Sequence, residues 1–578
     1  MAKKAAGLVA AFCGLLVLAC SDRGKPLPTD TGPPAAVDGP DAGPPYLDDI
    51  TASSGIDFSY RSGEDAGQFT LLETLGGGVG LIDYNGDGLL DVFLPGGGSL
   101  DDRTVRGRPP RLYKNLGGWK FRDVTAEVGL EKAPFYSHGC AVADYDNDGW
   151  PDLLVTGYGG LALYHNEPDG RGGRKFVDVT QKAGLTEKTW ATSAAWGDLN
   201  GDGHLDLYVV HYCDWSFQYH PKCPGYVPDQ PVAICSPRVF KPLPHALYYN
   251  NGDGTFRDAS QEAGLRTDGK GLGVLIADLD GDGKPDIYVT NDTTGNFLYL
   301  NRGGKFEEAA LARGVAYDGR GAPQGSMGVD AADYDGSGWF SLFVTNFQGE
   351  AHALYRNLGR GQFQYLSEAA GVTAVGTVYV GFGGGFLDFD RDGAEDLFFV
   401  NGHITHHPAP PSEYRQRPFL LRNMGSGRFQ DVSARGGPYF RTKRVGRGVA
   451  FGDLNNVGRT DVIVSHNNEP VAVLRNTVEN GHHWLGVSLA GKPNRDAIGA
   501  VLTLEVAGKK LVRQIKGGGS YCSSSDPRVL FGLGSGADVG PLTVRWPSGK
   551  TQSWDRLAAD RYWVLTEGEL AAGEWSRR

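Results

Sequence analysis

Asp83-Tyr84-Asn85-Gly86-Asp87-Gly88-Leu89-Leu90-Asp91 decides the reading of this chain, because the same nine-residue pattern opens again at Asp144, Asp198, Asp278, Asp333, Asp388 and Asp453. Its oxygen-bearing side chains fall at positions 1, 3, 5 and 9, and a glycine at position 6 allows the bend that turns them toward one point. Five copies keep the whole set: Asp83, Asn85, Asp87 and Asp91; Asp144, Asp146, Asp148 and Asp152; Asp198, Asn200, Asp202 and Asp206; Asp278, Asp280, Asp282 and Asp286; Asp388, Asp390, Asp392 and Asp396. So many carboxylates in one short loop repel one another unless a cation lies between them. Calcium fits better than magnesium, which keeps more of its own waters. The alternative is a metal-free turn closed by Asx hydrogen bonds.

Two copies are degraded. The fifth has Ser337 and Ser341 in place of acids, and the seventh has Val457 at position 5. The first residues of the loops are 61, 54, 80, 55, 55 and 65 apart, and the long interval contains a proline-rich insertion at 211–244. The period is therefore roughly 50 to 60 residues, too long for a calcium-bound solenoid. Each loop lies between two strand-like runs. A second motif follows, as in Leu112-Tyr113-Lys114-Asn115 with Phe121-Arg122-Asp123-Val124-Thr125, and again at Leu163 and Leu247. Four short strands per repeat cannot bury both faces alone and must stack on neighbours. The expected fold is all-β, a seven-bladed β-propeller over 46–480. Tyr46-Leu47-Asp48-Asp49-Ile50-Thr51, a stray copy of the Phe-x-Asp-Val-Thr strand, is placed to complete the blade that ends near Leu474-Arg475-Asn476.

Composition sets limits. With 40% hydrophobic and 21% charged residues the chain is globular; its 87 glycines and net charge of -12 reflect the repeated loops. No basic stripe points to nucleic acid. Lys3 and Lys4 before an apolar run ending at Ala19 predict a signal peptide over 1–19, and Leu16 to Cys20 resembles a lipobox that makes Cys20 the lipidated residue. An ordinary cleaved signal is the alternative. Residues 20–45 form a Pro/Gly-rich tether whose reach from a bacterial envelope membrane is at most ~80 Å. In an exported protein Cys223 and Cys235 are the first choice for a disulfide, with Cys213 and a zinc site as alternatives.

The loops and their companion motifs resemble FG-GAP or VCBS repeats of the type found in integrin alpha-subunit propellers. Trp484 to Val487, Asn494 to Ala500, Gly517 to Tyr521, Phe531 to Gly534 and Trp546 to Gly549 resemble the ASPIC/UnbV domain of the cartilage acidic protein family. Alternation such as Leu502, Leu504, Val506 and Leu542, Val544, Trp546 suggests a small β-sandwich over 481–570, followed by a tail at 571–578. The resemblance implies that the backbone carbonyls at position 7, of Leu89, Trp150, His204, Lys284 and Ala394, join the side chains as calcium ligands, giving about five sites.

A further set emerges when repeats are aligned. Position 13 after each first aspartate is Gly96, Gly157, His211, Asn291, Asn346, Asn401 and His466. Together with His138, Asp292 and His403, His211, Asn291 and His466 form a candidate ligand site at the mouth of an axial channel, suited to a transition metal or polar ligand. The competing account is that Asn and His cap strand ends. No nucleophile elbow, phosphate loop or zinc-protease helix is present. Arg441, Lys443, Arg444 and Arg447 read as a solvated basic lead-in to the seventh repeat, with anion binding as the alternative. The expected role is an exported calcium-binding module that binds a protein or glycan; an enzyme at the axis and a structural part of an envelope complex are the rivals.

Overall fold

The computed structural model describes residues 43–225, 232–425, 427–492 and 495–575. The signal segment, Cys20 and nearly all of the tether lie outside the described residues. Seven sheets of four antiparallel strands succeed one another along the chain to residue 476, one of them extended by a fifth strand. The second sheet is typical, with strands Tyr136–Ala143, Asp152–Tyr158, Gly160–Pro168 and Arg174–Asp178. In every sheet the acidic loop joins the first strand to the second. Leu47–Asp49 pairs with Leu474 to Asn476, so the N-terminal strand is the fourth strand of the seventh sheet. There Thr51 donates to Asp49 and receives the Val473 N–H at 2.8 Å, as Thr125 does with Asp123 and Leu112 in the first sheet.

The asparagine that recurs in the second motif links one sheet to the next. Asn166 Nδ2 donates to Tyr84 O of the first loop at 2.9 Å, and Asn250, Asn301, Asn357, Asn423 and Asn476 make the same bond to Tyr145, Leu199, Leu279, Tyr334 and Phe389 at 2.7 to 2.8 Å. Asn115 donates to Leu454 O at 2.8 Å, which joins the first sheet to the seventh. These buried amides spend their hydrogen-bonding capacity on otherwise orphaned carbonyls.

The first strands are buried, Val142 in the second sheet being the one partly exposed residue, and several carry glycine where they approach one another closely. A Cβ on Gly273 would stand 2.4 Å from Met327 O, one on Gly328 2.3 Å from Phe382 O, and one on Gly383 2.4 Å from Arg447 O. The pairing slips at this level in six sheets, between Ser137 and Gly139 in the second, for example.

After residue 482 two further four-stranded sheets face a shared core that includes Leu485, Val487, Leu502, Phe531, Val544 and Trp546. Between them, residues 516–526 leave this unit and thread among the first strands. Gly517–Gly518 pairs with Leu275 and Ile276, Ser520 with Val329 and Ser524 with Gly80. Tyr521 is wholly buried, its hydroxyl donating to Leu75 O at 3.1 Å. The expected axial channel is therefore corrected: Tyr521 and Cys522 pack with Tyr60, Leu72, Tyr136, Trp190, Leu272, Met327 and Phe382 into a solid apolar cluster. The insertion supplies Tyr212, Trp215, Ile234 and Phe240 to that cluster, and Cys223 is bonded to Cys235. Among the described residues no helix is long and apolar enough to cross a membrane.

Candidate metal centres and the axis

The second loop shows how the sequence makes the site. Asn147 and Gly149 both have left-handed backbone, φ 59° and 90°, which folds the loop inward. Asp144 accepts the Asp148 and Gly149 N–H groups at 3.0 and 2.8 Å, and Asp148 accepts that of Trp150 at 2.9 Å. Asp152 is buried; it takes the Tyr145 N–H and, at 2.8 Å, the N–H of Asn166, so the second motif holds the loop's last ligand in place. Oxygens of Asp144, Asp146 and Asp152 lie within 4.8 Å of one another. Calcium–oxygen bonds of about 2.4 Å put opposed ligands about 5 Å apart, so one calcium ion spans this group. The same closeness holds for Asp278, Asp280 and Asp282 and for Asp388, Asp390 and Asp396.

Unspent acceptors test the fit. Asn85 Oδ1, Asp146 Oδ1 and Asp390 Oδ1, all at position 3, are buried with no donor. In the third and fourth loops the position-3 oxygen instead accepts from position 5, Asn200 from Asp202 at 2.8 Å and Asp280 from Asp282 at 3.2 Å. Burial is the main cause, with neighbouring carboxylates adding to it, that pushes Asp144, Asp152 and Asp206 up to about 8 and Asp91, Asp286 and Asp396 well above the carboxylate range. Such groups stay charged only beside a cation. The residues fit a calcium ion.

The sequence reading missed the cationic side chains that reach the loops' outer oxygens from the third strands or, for Arg302, from the residue just after one. Lys114 lies 3.3 Å from Asp87, His165 3.1 Å from Asp146, Arg302 3.1 Å from Asp280 and Arg422 2.7 Å from Asp390. Lys114, His165 and Arg422 occupy the variable place in Leu-Tyr-x-Asn, so alternation along that strand was the available signal. The fifth loop pairs Arg356 with Asp335, and Ser341 Oγ accepts the Asn357 N–H at 3.0 Å where other loops use aspartate. In the seventh, Asn455 Oδ1 has no donor and the Tyr562 hydroxyl donates to Asp453 at 2.9 Å.

The axial candidates are distributed among separate partners. His138 Nδ1 faces Tyr60 and Gly76 O while Nε2 accepts from Trp190 Nε1 at 3.0 Å. His211 lies against Pro244 O and Glu187, His403 between Gln348 and the Thr405 N–H, and His466 between Pro470 O and the Tyr439 hydroxyl. Asn291 donates to Gly295 O, and Asp292 accepts from Tyr212. Among the described residues, no metal-sized group of ligating atoms combines these side chains. Burial holds His138 and His403 down to about 4 and His466 to about 3, so all three are neutral at pH 7. Arg447 corrects the solvated basic run: it is fully buried, stacks 3.8 Å from Phe382 and donates to the carbonyls of Thr74, Gly402, His403 and Gly446.

Residues 83–155, 144–209, 244–289, 278–344 and 388–464 match the FG-GAP-like repeat family, and residues 490–572 match the ASPIC and UnbV family. The chain belongs to the FG-GAP-like repeat family and carries an ASPIC and UnbV domain. It is 25% identical over 516 residues to Cartilage acidic protein 1 of Homo sapiens, covering 84% of this chain and 71% of that protein. Integrin alpha-PS2 of Drosophila melanogaster is 27% identical over 149 residues, 22% of this chain and 10% of the integrin. Similar solved structures include the Dos1 propeller, 9% identical over 69% of this chain and 78% of that one with a TM-score of 0.37. Another is the extracellular domain of the putative hybrid two-component system BT3049 from B. thetaiotaomicron, 10% identical over 90% of this chain and 54% of that one, with a TM-score of 0.39. The FG-GAP repeats, shared with an integrin alpha chain, suggest an extracellular binding module.

Proposed function

We propose that this chain is an exported, calcium-stiffened binding module: a closed seven-bladed propeller with a β-sandwich ASPIC/UnbV domain set on its loop face, lipid-anchored through Cys20 in a bacterial envelope, and binding a protein or glycan through exposed loops. The observation that carries the calcium reading is the set of buried position-3 oxygens without donors, Asn85 Oδ1, Asp146 Oδ1 and Asp390 Oδ1. Buried polar atoms are ordinarily satisfied, and a hard cation satisfies all three. Ring closure is supported by the asparagine links, which run from each sheet to its predecessor and from the first to the seventh. Calcium here is structural: each ion clamps the hairpin between first and second strands, leaving the intersheet loops on the opposite face for partners.

Elemental analysis of the purified chain after gel filtration, paired with screening of glycan and envelope-protein arrays with and without EGTA, tests this reading. About five calcium ions per chain and a ligand lost on chelation are expected. A stoichiometric transition metal without calcium overturns it.

A further inference from the structure

The fourth and sixth loops carry the same acids at positions 1, 3, 5 and 9, yet their surroundings are opposite. Residues 281–284 of the fourth are all exposed, whereas the sixth has no exposed residue, with Asp390 only 5% and Asp396 0% accessible. The cover comes from beyond residue 477. The linker holds one side: Asn480 Nδ2 and, at 2.8 Å, His482 Nδ1 donate to Asp390 O, while Arg391 reaches back to Val478 O and Asn480 Oδ1. The ASPIC/UnbV domain holds the other: Gly534 N–H donates to Arg391 O at 2.9 Å, and Arg513 donates to Gly393 O at 3.2 Å while pairing with Glu395. Gly532 lies so close that a Cβ there would be 2.1 Å from Asp388 Oδ2.

These donors take backbone carbonyls of the loop rather than the carboxylate oxygens of Asp388, Asp390 and Asp396. Asp388, Asp390 and Asp396 remain within 4.8 Å of one another, and Asp390 Oδ1, in a side chain more than nine-tenths buried, has no partner. We propose that the sixth loop is an occluded calcium site, closed by the linker and the ASPIC/UnbV domain, so that its ion escapes only when they lift away. The inference rests on the calcium reading of the loops. Ion and domain stabilise each other: undocking exposes the loop, and an empty loop holds three clustered carboxylates beneath the domain with only Asp390 paired, to Arg422. In the other complete loops the residue at position 3, Asn85, Asp146, Asn200 or Asp280, is half-exposed and lets water reach the ion, whereas Asp390 is buried.

The test uses the full chain loaded with radioactive calcium, then challenged with excess EGTA and filtered at intervals. One ion should leave about tenfold more slowly than the rest, a barrier that one or two interdomain hydrogen bonds supply. Asp390→Ala should remove that slow ion alone, and Asn480→Ala with His482→Ala should keep the calcium content but abolish the lag. Arg513→Ala serves as a second release variant if the linker variant folds poorly. A chain that binds no calcium overturns the calcium reading itself. Calcium that leaves in a single phase, or a slow phase that survives Asp390→Ala, overturns the occluded site while leaving calcium binding intact.

Discussion

The two ends of the same strands use polar side chains in opposite ways. At the loop end, acids converge without enough donors, and position-3 oxygens such as Asp146 Oδ1 and Asp390 Oδ1 remain unspent. At the other end, His138 and His466 each set both ring nitrogens against a partner, and the position-13 oxygens left without a donor, Asn291 Oδ1 and Asn401 Oδ1, belong to different sheets. Recurrence at equivalent positions therefore does not mark a ligand site by itself. Unused capacity on a buried oxygen marks one only where further acids converge on it, as around Asp146 and Asp390.

Chelation should give the largest contrast between the ends. A site held at a hundredfold excess of calcium over its Kd contributes about 2.7 kcal/mol, and several such sites act together. EGTA should lower Tm by about 10 °C or more, a shift far beyond a single contact in a domain of this size. Hydrogen exchange should quicken first at 144–152 and 278–286 while the strand ends at His138 and His466 stay protected. A melt indifferent to EGTA, with protection equal at both ends, breaks the comparison.

Acid should act on the other end, with a smaller effect. His466 is neutral in the fold because burial, with Arg444 and Arg447 nearby, lowers it to about 3. The unfolded chain takes up its proton first as pH falls below the ordinary histidine value near 6.5. The histidine's contribution is thus complete above about 6.5 and is lost progressively as pH falls toward the folded value. Denaturant unfolding in saturating calcium should show stability declining from pH 7 to pH 5, with a shallower slope in His466→Gln by up to one proton. An unchanged slope in that variant removes His466 from the account.

Much of this organisation was legible in the sequence because the chemistry is local. Positions 1 and 9 are eight residues apart in every loop, the Leu-Tyr-x-Asn partner follows within one repeat, and Leu47–Asp49 could be placed by its likeness to its counterparts. What fills the axis was not legible. Gly517 to Ser525 reads as a glycine and serine loop, and only contacts such as Cys522 N–H to Ser193 Oγ, 329 residues away, make it a plug. The histidine end failed in the same way: its positions could be aligned, but Trp190, Tyr439 and Glu187, which satisfy the rings, belong to no repeated motif. The proline-rich insertion likewise gave no sign that Trp215 and Phe240 would join the central cluster.

The smallest expected effect is the sharpest test of what makes a loop a site. The fifth loop has the backbone of its neighbours, with Gly336 and Gly338 left-handed at φ 69° and 82°, and it keeps Asp333 Oδ1 buried without a donor. It differs in Ser337 and Ser341, and Ser341 Oγ already takes the Asn357 N–H as the ninth aspartate does elsewhere. Ser337→Asp with Ser341→Asp should therefore add one calcium ion per chain without rearranging the sheet. The gain in Tm should be only a few degrees, because Arg356 and Asp335 already offset part of the charge there through a half-exposed ion pair of at most about 1 kcal/mol. If calorimetry of the double variant finds no added ion, four oxygens on this backbone are not sufficient, and the calcium reading of the other loops must rest on their surroundings as much as on their acids.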